Sequence, residues 1–356
     1  MVDGMLTKLT AWVAEGQVLA PEQISGAVLG LTDAMVPPEV KAGFLAALSQ
    51  RGETPEEIAG FARELRALSI PVPLSGDVAS GEILDVCGTG GDRLNTFNIS
   101  TTVALVCAAA GVVVAKHGNR AITSQSGSAD VLEALGIPIQ QSPEEAAESL
   151  ARHRFAFLFA PRFHPAFQHI GPARKLCAER GQRTLFNFLG PLLNPARPTA
   201  QLMGVPRPTL CEPIARTLQS LGLRRAMVVC GEVPGPDGGD TAFLDELSTL
   251  GENTVAEFYQ DRGFHASRWS PSDFPLQTAS LSDLVGGDAS ANAAIIRGLL
   301  SGVDRGARRD AVLLNAAAAL MVAGHTRSMV DGWERAREVL EAGEGAALLR
   351  RIGDRR

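Results

Sequence analysis

From residue 83 onward, short apolar runs alternate with segments of helical period, and this alternation constrains the fold more than any other feature of the sequence. The apolar runs predict strands at residues 83–87, 112–115, 155–159, 201–205, 226–230 and 254–259. The predicted helices cover residues 101–110, 129–135, 143–152, 211–221, 289–302, 307–323 and 329–351. Strands that alternate with helices are typical of a mainly parallel sheet covered by helices. The sequence therefore predicts an α/β domain over residues 77–356.

The N-terminal part of the chain, residues 1–76, has helical periodicity without any intervening β-rich run. Its fourth helical segment carries a complete start signal, in which Thr54 is the N-cap, Pro55 takes the first helical position and Glu57 closes a capping box. We predict a small all-helical domain here, joined by a helical excursion near residues 172–190. The Pro- and Ser-rich residues 70–81 predict a linker or hinge between the two domains.

Charge and cysteine content narrow the classes of partner and compartment. The net charge of −6 creates no field that would attract nucleic acid, so a phosphate site would have to be locally basic. The five cysteines show no CxxC spacing, and we expect them to be reduced and buried, as in a cytoplasmic protein. We see no signal peptide and no apolar run of the roughly 18 residues that a membrane span requires.

Two polar turns near the first predicted strand could bind an anion. The turn at residues 88–92, GTGGD, follows the strand, and its glycines would let main-chain N–H groups approach a phosphate closely. It matches neither GxGxxG nor a P-loop, so by itself it could equally be a simple tight turn. The second turn, residues 98–101 (NIST), begins the next predicted helix and could bind phosphate or merely cap that helix.

A third polar region follows the second predicted strand. Residues 116–120, KHGNR, combine two cations with neutral hydrogen-bonding side chains, and Ser124 and residues 126–128 precede another helix. A solvated charged turn is the alternative interpretation of this segment. Because three such turns occur within one βαβα unit, we predict that the ligand is a small molecule with more than one phosphate.

Four motifs carry a resemblance to a known family: GTGGD at 88–92, NIST at 98–101, KHGNR at 116–120 and GSADVLEALG at 127–136. In this order and spacing they resemble the anthranilate phosphoribosyltransferase family. The helical N-terminal region, the segment RTLFNFLGPLLNP at 183–195 and the acidic pair Asp245-Glu246 also fall where that family has them. The resemblance implies transfer of phosphoribose from 5-phosphoribosyl 1-pyrophosphate (PRPP) to anthranilate, with Mg²⁺ as cofactor and a homodimer joined through the helical domain.

The resemblance also implies roles for individual residues. The implied contacts to PRPP come from Gly88, Gly91, Asp92, Thr96, Asn98, Ile99, Ser100, Thr101, Lys116, Gly118, Arg120, Ser124 and Ser128. Anthranilate would touch Gly88 and Asn119, and Arg174 would hold its carboxylate, while His117, Pro161 and His164 would line its channel. Mg²⁺ would be bound by Ser100, Asp245 and Glu246, since neighbouring oxygen ligands suit this hard cation. Without the family, Asp245-Glu246 would more simply be a solvated pair or a helix start.

Glycosyl transfer of this kind builds positive charge on the sugar ring and negative charge on the leaving group. We therefore expect Lys116 and Arg120 to assist the departing pyrophosphate, and we assign no covalent nucleophile. Three departures from the family pattern affect the site: residues 175–182, KLCAERGQ, form a segment a few residues longer than usual, Thr123 replaces a serine, and the channel-side position Phe167 is apolar. Because of the longer segment, Arg162 is a competitor for the carboxylate role of Arg174.

Two alternative functions stay open at this stage. One is a relative of the family that binds nucleic acid instead of transferring phosphoribose to anthranilate, and the other is a nucleoside phosphorylase. The intact GTGGD, KHGNR and Asp-Glu signatures, together with the acidic composition, favour the transferase, because a nucleic-acid binder should present a basic face.

Overall fold

Four helices at the N-terminus pack their apolar stripes against one another in the computed structural model, which describes residues 2–121, 125–235, 239–260 and 263–353. They are α1 (Val2–Ala14), α2 (Pro21–Thr32), α3 (Pro38–Arg51) and α4 (Pro55–Ala67). The capping box predicted for α4 is confirmed: Thr54 Oγ1 accepts from the Glu57 amide at 3.2 Å, and the Glu57 carboxylate accepts from the Thr54 amide at 3.0 Å. This reciprocal pairing satisfies two N–H groups that a helix start otherwise leaves free.

The segment predicted as a linker contains a short helix, α5 (Gly76–Ser80). Before it, the Ile70 amide donates to the carbonyl of Phe163 at 2.8 Å, so the start of the linker is fastened to a distant part of the chain. The sequence does not reveal this helix because a glycine among Pro and Ser residues is typical of a turn. The helix nevertheless begins at that glycine, Gly76, which has a positive φ of 55°.

One mixed sheet forms the centre of the larger domain. Its strands are β1 (Ile83–Gly88), β2 (Val113–Gly118), β3 (Phe155–Phe159), β4 (Ala200–Gly204), β5 (Arg225–Val233), β6 (Ala242–Leu244), β7 (Asn253–Tyr259) and β8 (Gly263–Trp269). The order is β3-β2-β1-β4-β5-β7-β8; the first five strands are parallel, whereas β7, β8 and the short β6, which pairs with β5, are antiparallel to their neighbours. The prediction of a mainly parallel sheet covered by helices is confirmed.

Helices cover both faces of this sheet. The helices that follow β1 in the chain are α6 (Ile99–Ala109), α7 (Ser128–Ala134), α8 (Pro143–His153), α9 (Ala160–Phe163), α10 (Gly171–Glu179), α11 (Phe186–Leu189), α12 (Cys211–Ser220), α13 (Leu281–Leu284), α14 (Ala289–Leu300), α15 (Ala307–Val322), α16 (Met329–Glu341) and α17 (Glu344–Gly353). Short 3₁₀ turns lie at Pro165–His169, Gly190–Leu192, Pro208–Leu210 and Pro271–Asp273. Among the described residues, no helix is long and apolar enough to cross a bilayer.

Side chains of β1 that point to opposite faces of the sheet enter different hydrophobic cores, as the two-residue period of a strand requires. On one face, Leu84 and Val86 of β1 pack in a core with α6, α14, α15, α16 and α17. On the other face, Cys87 shares a core with α12, α10 and the four N-terminal helices. The N-terminal helices thus pack, through α12, onto the sheet that carries the polar turns.

The chain reverses its direction of progress across the sheet between β1 and β4. It proceeds from β1 outward to β2 and β3 and then returns to the other side of β1 to add β4 and β5. In open α/β sheets, ligands bind beyond the carboxyl ends of the strands at such a reversal. The turn at residues 88–92 begins at this point, so the fold supports the expected location of the site.

Candidate functional site

The carboxyl ends of β1 and β4 meet at a pair of glycines, Gly88 and Gly204, which are direct neighbours across the parallel ladder. The segment that carries Asp245 crosses immediately above them. A Cβ at Gly204 would lie 1.6 Å from the Asp245 carbonyl oxygen, and one at Gly88 would lie 2.9 Å from the Asp245 carboxyl carbon. Both positions therefore require glycine, because any side chain would push the acidic segment away from the sheet.

The first polar turn, residues 88–92, surrounds the carboxylate of Asp245, which comes from a distant part of the chain. Its Oδ2 accepts hydrogen bonds from Thr89 Oγ1 at 3.0 Å and from the amides of Gly90 at 2.5 Å and Gly91 at 3.3 Å. Gly90 has a positive φ of 73°, which turns successive N–H groups toward the same point. The amides of this turn therefore converge on one oxygen, and in this structure that oxygen belongs to a side chain of the protein.

The second turn, residues 98–101, is filled in the same way. The amide of Ser100 in the first turn of α6 donates to Glu246 Oε1 at 3.1 Å. Asn98 is the N-cap residue but makes no capping hydrogen bond; its side chain joins the carbonyl of Ser126 at 3.2 Å and the side-chain amide of Asn292 at 2.9 Å. Capping by the NIST hydroxyls is therefore not observed, and the helix N-terminus receives a carboxylate instead.

The acidic pair Asp245 and Glu246 is buried, with 6% and 7% of each residue exposed. Burial raises the pKa of both carboxyls, and nearby carboxylates, Asp92 beside Asp245 and Asp245 beside Glu246, raise them further. A divalent cation would relieve this repulsion, and carboxylate and hydroxyl oxygens are the donors that Mg²⁺ prefers, so the residues present fit that ion. Within the described ranges, no three His, Cys, Asp or Glu side chains form a complete metal site by themselves.

Lys116 lies inside β2, which continues to Gly118, and not beyond the strand end as predicted. Its ammonium is buried and donates to the Val86 carbonyl at 2.6 Å and to Ser100 Oγ at 3.2 Å. Burial lowers the pKa of Lys116, and the neighbouring carboxylates of Asp85 and Glu246 act against that shift. The ammonium thus lies at the N-terminus of α6, in contact with Ser100, which is one of the predicted metal ligands.

Arg120 lies beyond the end of β2, but its guanidinium turns toward α7. It pairs with Asp130 at 2.8 Å and with Glu133 at 3.0 Å, and 44% of its side chain is exposed. Asp130 also accepts from the amides of Ala121 and Gly127, both at 3.0 Å. The third turn is therefore closed around Asp130, and Arg120 would have to leave these partners to touch a phosphate.

The start of α7 also fixes two other predicted contacts. The carbonyl of Asn119 accepts from Ser128 Oγ at 3.3 Å. Asn119 itself is exposed at the surface. A Cβ at Gly118 would lie 2.4 Å from that same Oγ, so glycine is required there. Ser124 and Thr123 lie outside the described residues.

A histidine pair lies on the opposite side of β2 from Lys116, because successive side chains of a strand point to opposite faces. His117 and His164 are joined through their Nε2 atoms at 3.1 Å, and His117 Nδ1 is 3.2 Å from the carbonyl oxygen of Gly190. Since a carbonyl can only accept, neutral His117 carries its proton on Nδ1, and His164 must donate from Nε2. Burial lowers the pKa of His117 to about 3 and that of His164 to about 4.

Aromatic rings continue from this pair toward Arg174. The ring of His164 meets Phe167 edge-on at a centroid distance of 5.4 Å, and Phe167 meets Phe186 in the same way at 5.6 Å. The Arg174 guanidinium lies 5.3 Å from the Phe186 centroid and has no hydrogen-bond or ion-pair partner among the described residues. Burial lowers its pKa. We call the region formed by His164, Phe167, Phe186 and Arg174 the aromatic compartment. An aromatic carboxylate could stack against its rings with the carboxylate group on Arg174.

The competitor Arg162 lies exposed in α9, on the surface beside the equally exposed Pro161. The longer segment at residues 175–182 forms the end of α10 and a turn with Gly181 at a φ of 66°. This turn follows Arg174 by more than one helical turn. The extra residues therefore need not displace Arg174 from the aromatic compartment.

The remaining predicted contacts differ in how their side chains are placed. Ile99 and Thr101 are buried to 2% and 1% exposure, so they face the core side of α6. Thr96 forms an isolated antiparallel bridge with Val285. Asp92 accepts from the Leu94 amide at 3.1 Å inside the first turn. Only main-chain atoms of Ile99 could therefore meet a ligand in the present arrangement.

Sequence reasoning missed two groups at this site. Asp85, fully buried within β1, accepts from Asn194 at 2.9 Å, and burial raises its pKa to about 6. The same Asn194 amide group donates to the Ala115 carbonyl of β2 at 2.7 Å, so it braces β1 against β2 below the site. A carboxylate within an otherwise apolar strand was a visible signal for this brace. Phe186, the ring beneath Arg174, gave no comparable signal.

Comparisons with known proteins agree along the whole chain. The family model described as "Glycosyl transferase family, a/b domain" matches residues 80–346, and "Glycosyl transferase family, helical bundle domain" matches residues 7–69. The chain is 45% identical over 340 residues to an anthranilate phosphoribosyltransferase of Roseiflexus castenholzii, covering 96% of this chain and 95% of that protein. The crystal structure of the anthranilate phosphoribosyltransferase from Thermus thermophilus superposes with a TM-score of 0.84 at 43% identity, covering 97% of this chain and 98% of that chain. The Saccharomyces cerevisiae enzyme in complex with PRPP and Mg has the same TM-score at 27% identity, covering 99% and 98%.

Proposed function

Because the chain belongs to the anthranilate phosphoribosyltransferase family, we propose that it transfers the phosphoribosyl group of PRPP to the amino group of anthranilate. The products are N-(5-phosphoribosyl)anthranilate and pyrophosphate, and the reaction is the second step from chorismate to L-tryptophan. The chain is accordingly a glycosyltransferase with Mg²⁺ as its cofactor.

One structural observation carries the proposal: β2 separates a polar compartment from an aromatic one. Lys116 points to the side with the amide turns and the acidic pair, whereas the next residue, His117, points to the side with His164, Phe167 and Arg174. A phosphorylated sugar on one side would meet an aromatic acid from the other side beyond Gly118, where β2 ends. Holding two reactants in such an arrangement removes much of the entropic barrier to their reaction.

In the polar compartment, the substrate phosphates would bind the main-chain N–H groups of residues 88–92 and of the start of α6. Ser100, Asp245 and Glu246 would hold Mg²⁺, which supplies charge neutralisation to the departing pyrophosphate when it is bound. Lys116, and Arg120 if it leaves Asp130, would add positive charge on the same side. The support for these roles is the set of main-chain amides after β1 and at the start of α6 that hold the carboxylates of Asp245 and Glu246.

In the aromatic compartment, Arg174 would bind the anthranilate carboxylate while Phe167 and His164 contact the ring. The neutral histidine pair places no positive charge against the developing cation on ribose, because burial keeps the pKa of both residues low. No side chain needs to form a covalent bond. The amine of anthranilate is the nucleophile, and our proposed residues orient it and exclude water.

We also propose the organisation of the whole protein. The helical domain would comprise residues 1–76, with an excursion near 172–190 that includes α10, and the α/β domain would comprise residues 77–356. A homodimer through the helical domain is supported by exposed apolar side chains on α1 and α2, among them Trp12 and Leu29. A cytoplasmic location is supported by five buried, unpaired cysteines.

The experiment that tests the reaction follows the fluorescence of anthranilate after addition of PRPP and Mg²⁺ to the purified protein. We expect a protein-dependent decrease of this signal and release of pyrophosphate. Unchanged fluorescence together with release of a free base from a pyrimidine nucleoside and phosphate would favour a nucleoside phosphorylase. Unchanged fluorescence with salt-sensitive retention of a nucleic acid would favour a nucleic-acid binder.

A further inference from the structure

Lys41 of α3 is a buried lysine within the helical domain. Only 2% of the residue is exposed, and its ammonium forms no ion pair with a carboxylate of the described residues. Nζ instead donates to two main-chain carbonyl oxygens, that of Asp33 at 2.7 Å and that of His169 at 2.8 Å. Burial lowers the pKa of Lys41, so this arrangement costs free energy that the two bonds must offset.

Both carbonyls lie at the end of a helix. Asp33 is the C-cap residue of α2, and His169 is the last residue of the 3₁₀ turn Pro165–His169. The last carbonyls of a helix lack intrahelical partners and carry the negative end of the helix dipole, so a cation is favourable there. Lys41 thus joins the end of an N-terminal helix to the end of a turn that is 128 positions away in the sequence.

The carbonyl held by Lys41 lies between the two halves of the aromatic compartment. On one side of His169 is the turn with Phe167, whose carbonyl accepts from the Ile170 amide at 3.0 Å. On the other side begins α10, where the Arg174 amide donates to the Ile170 carbonyl at 3.1 Å. The bond from Lys41 therefore fixes the short connection that sets the spacing between the Phe167 ring and the Arg174 guanidinium.

We propose that Lys41 is a positioning residue for the aromatic acceptor substrate: through the His169 carbonyl it holds Arg174 at the distance from Phe167 that anthranilate requires. This inference rests on the proposed function, and in particular on Arg174 as the carboxylate-binding residue. Lys41 itself touches no substrate. Its removal should affect recognition of anthranilate and leave the distant phosphate-binding turns intact.

The test replaces Lys41 with methionine, which has a similar shape but no donor. Both carbonyls then lose the ammonium donor, although that of Asp33 still accepts from the Val36 amide at 3.4 Å, and the connection between Phe167 and α10 can shift. We expect the KM for anthranilate to rise about tenfold while the KM for PRPP and kcat each change less than about threefold. Binding of anthranilate followed by calorimetry should weaken by a similar factor.

The matched control is Arg51→Met on the same helix. Arg51 also donates to a main-chain carbonyl, that of Gln17, and pairs with Glu57, but it contacts no part of the aromatic compartment. We expect Arg51→Met to lower thermal stability without changing the KM for anthranilate. If Lys41→Met does not fold, Lys41→Gln retains one donor and should show the same KM effect, reduced to about threefold.

The outcomes separate this inference from the proposed function. An anthranilate KM that is equal in the Lys41 and Arg51 variants, measured with an active wild-type protein, would overturn the role of Lys41 alone. An equal rise in both substrate KM values would overturn it as well, because it would indicate a general loss of structure. A wild-type protein that does not consume anthranilate would remove the proposed function and this inference together.

Discussion

At the scale of single residues, Arg174 combines two properties that a carboxylate-binding site requires. Its guanidinium lies over the ring of Phe186, and it has no anionic partner among the described residues. A ligand carboxylate would therefore displace no existing ion pair. Arg120, in contrast, is already held by Asp130 and Glu133, so it is the weaker candidate for direct contact with a substrate.

We predict that Arg174→Ala raises the KM for anthranilate by about a hundredfold, because a charge-assisted contact in a water-poor compartment is lost. The KM for PRPP should change little, since the turns that we propose for phosphate binding lie on the other side of β2. The measurement is steady-state kinetics with each substrate varied in turn. Arg162→Ala is the matched control, and a larger effect of this surface variant would assign the carboxylate to Arg162.

The histidine pair leads to a prediction about pH. The folded-state pKa values of His117 and His164, about 3 and about 4, lie below their ordinary value of 6.5, so the folded protein binds fewer protons than the unfolded chain in this range. The stability that the neutral pair contributes is complete above pH 6.5 and is lost as the pH falls toward 4. At pH 5 the loss for one such histidine is about 2 kcal/mol.

Urea unfolding at pH 7.5 and pH 5 tests this sign. The variant His117→Asn should lose less stability between the two pH values than the wild type does. His265→Gln, which removes an exposed histidine of β8, should retain the wild-type loss. A wild-type-sized loss in His117→Asn would show that the pair does not titrate as the burial indicates.

How far single residues could be predicted depended on whether a local pattern determines their position. The capping box of Thr54 and Glu57 was confirmed because its partners are three residues apart. The apolar run predicts a strand that ends at residue 115, before Lys116, yet the buried oxygens of Val86 and Ser100 accommodate the ammonium within β2. The partners of Lys116 come from distant segments, and sequence spacing contains no information about them.

At the scale of secondary structure, the strands that could be predicted are the parallel strands and the antiparallel β7, whose apolar run at residues 254–259 is observed at Asn253–Tyr259. β1 to β5 are buried apolar runs, and their approximate positions follow from the sequence. β6 and β8 were missed: β6 has three residues, and β8 is a largely exposed edge strand with the polar sequence GFHASRW. An edge strand is formed by pairing with its neighbour more than by hydrophobic patterning, so composition does not reveal it.

The three polar turns were predicted as sites for a phosphate, but the sequence could not show that carboxylates fill them. Asp245 occupies the amides of Gly90 and Gly91, and Glu246 occupies the amide of Ser100. Under the proposed function, a substrate phosphate at these amides would compete with the two carboxylates unless a cation draws them away. The turns and the acidic pair therefore act as one unit, and binding of metal and of pyrophosphate should depend on each other.

We predict that Asp245→Ala binds pyrophosphate without Mg²⁺ at least about tenfold more tightly than the wild type, because the amides of Gly90 and Gly91 become free. Mg²⁺ should then improve binding much less than it does for the wild type. Calorimetric titration with and without Mg²⁺ gives both quantities. The control Asp92→Ala removes a nearby charge without freeing these amides. If it tightens pyrophosphate binding as much as Asp245→Ala does, the effect comes from reduced charge repulsion and the prediction is wrong.

At the scale of the whole molecule, the N-terminal helices and one face of the sheet share a continuous core. Cys87 and Met203 at the ends of the central strands pack in the same cluster as Leu6 and Phe44 of the N-terminal helices. The sequence predicted two domains from the change in periodicity, but this continuity depends on α12 and α10, which are far from the first helices in the chain. The aromatic compartment lies where the excursion containing α10 packs against α3. The positions of its residues therefore depend on contacts between these two segments.

The outer surface of the helical domain carries the last prediction. Leu29 on α2 is 63% exposed and Met35 after it is 86% exposed, and such side chains at the surface are typical of an interface. We expect the double variant Leu29→Glu, Met35→Glu to convert a dimer to monomers in sedimentation velocity, because buried carboxylates would face each other across a two-fold axis. Val330→Glu on α16, where the side chain is 72% exposed, is the matched control and should sediment as the wild type does. If the double variant sediments as the wild type does, a dimer through this surface is wrong, and a wild-type protein that is already monomeric would exclude it at the outset.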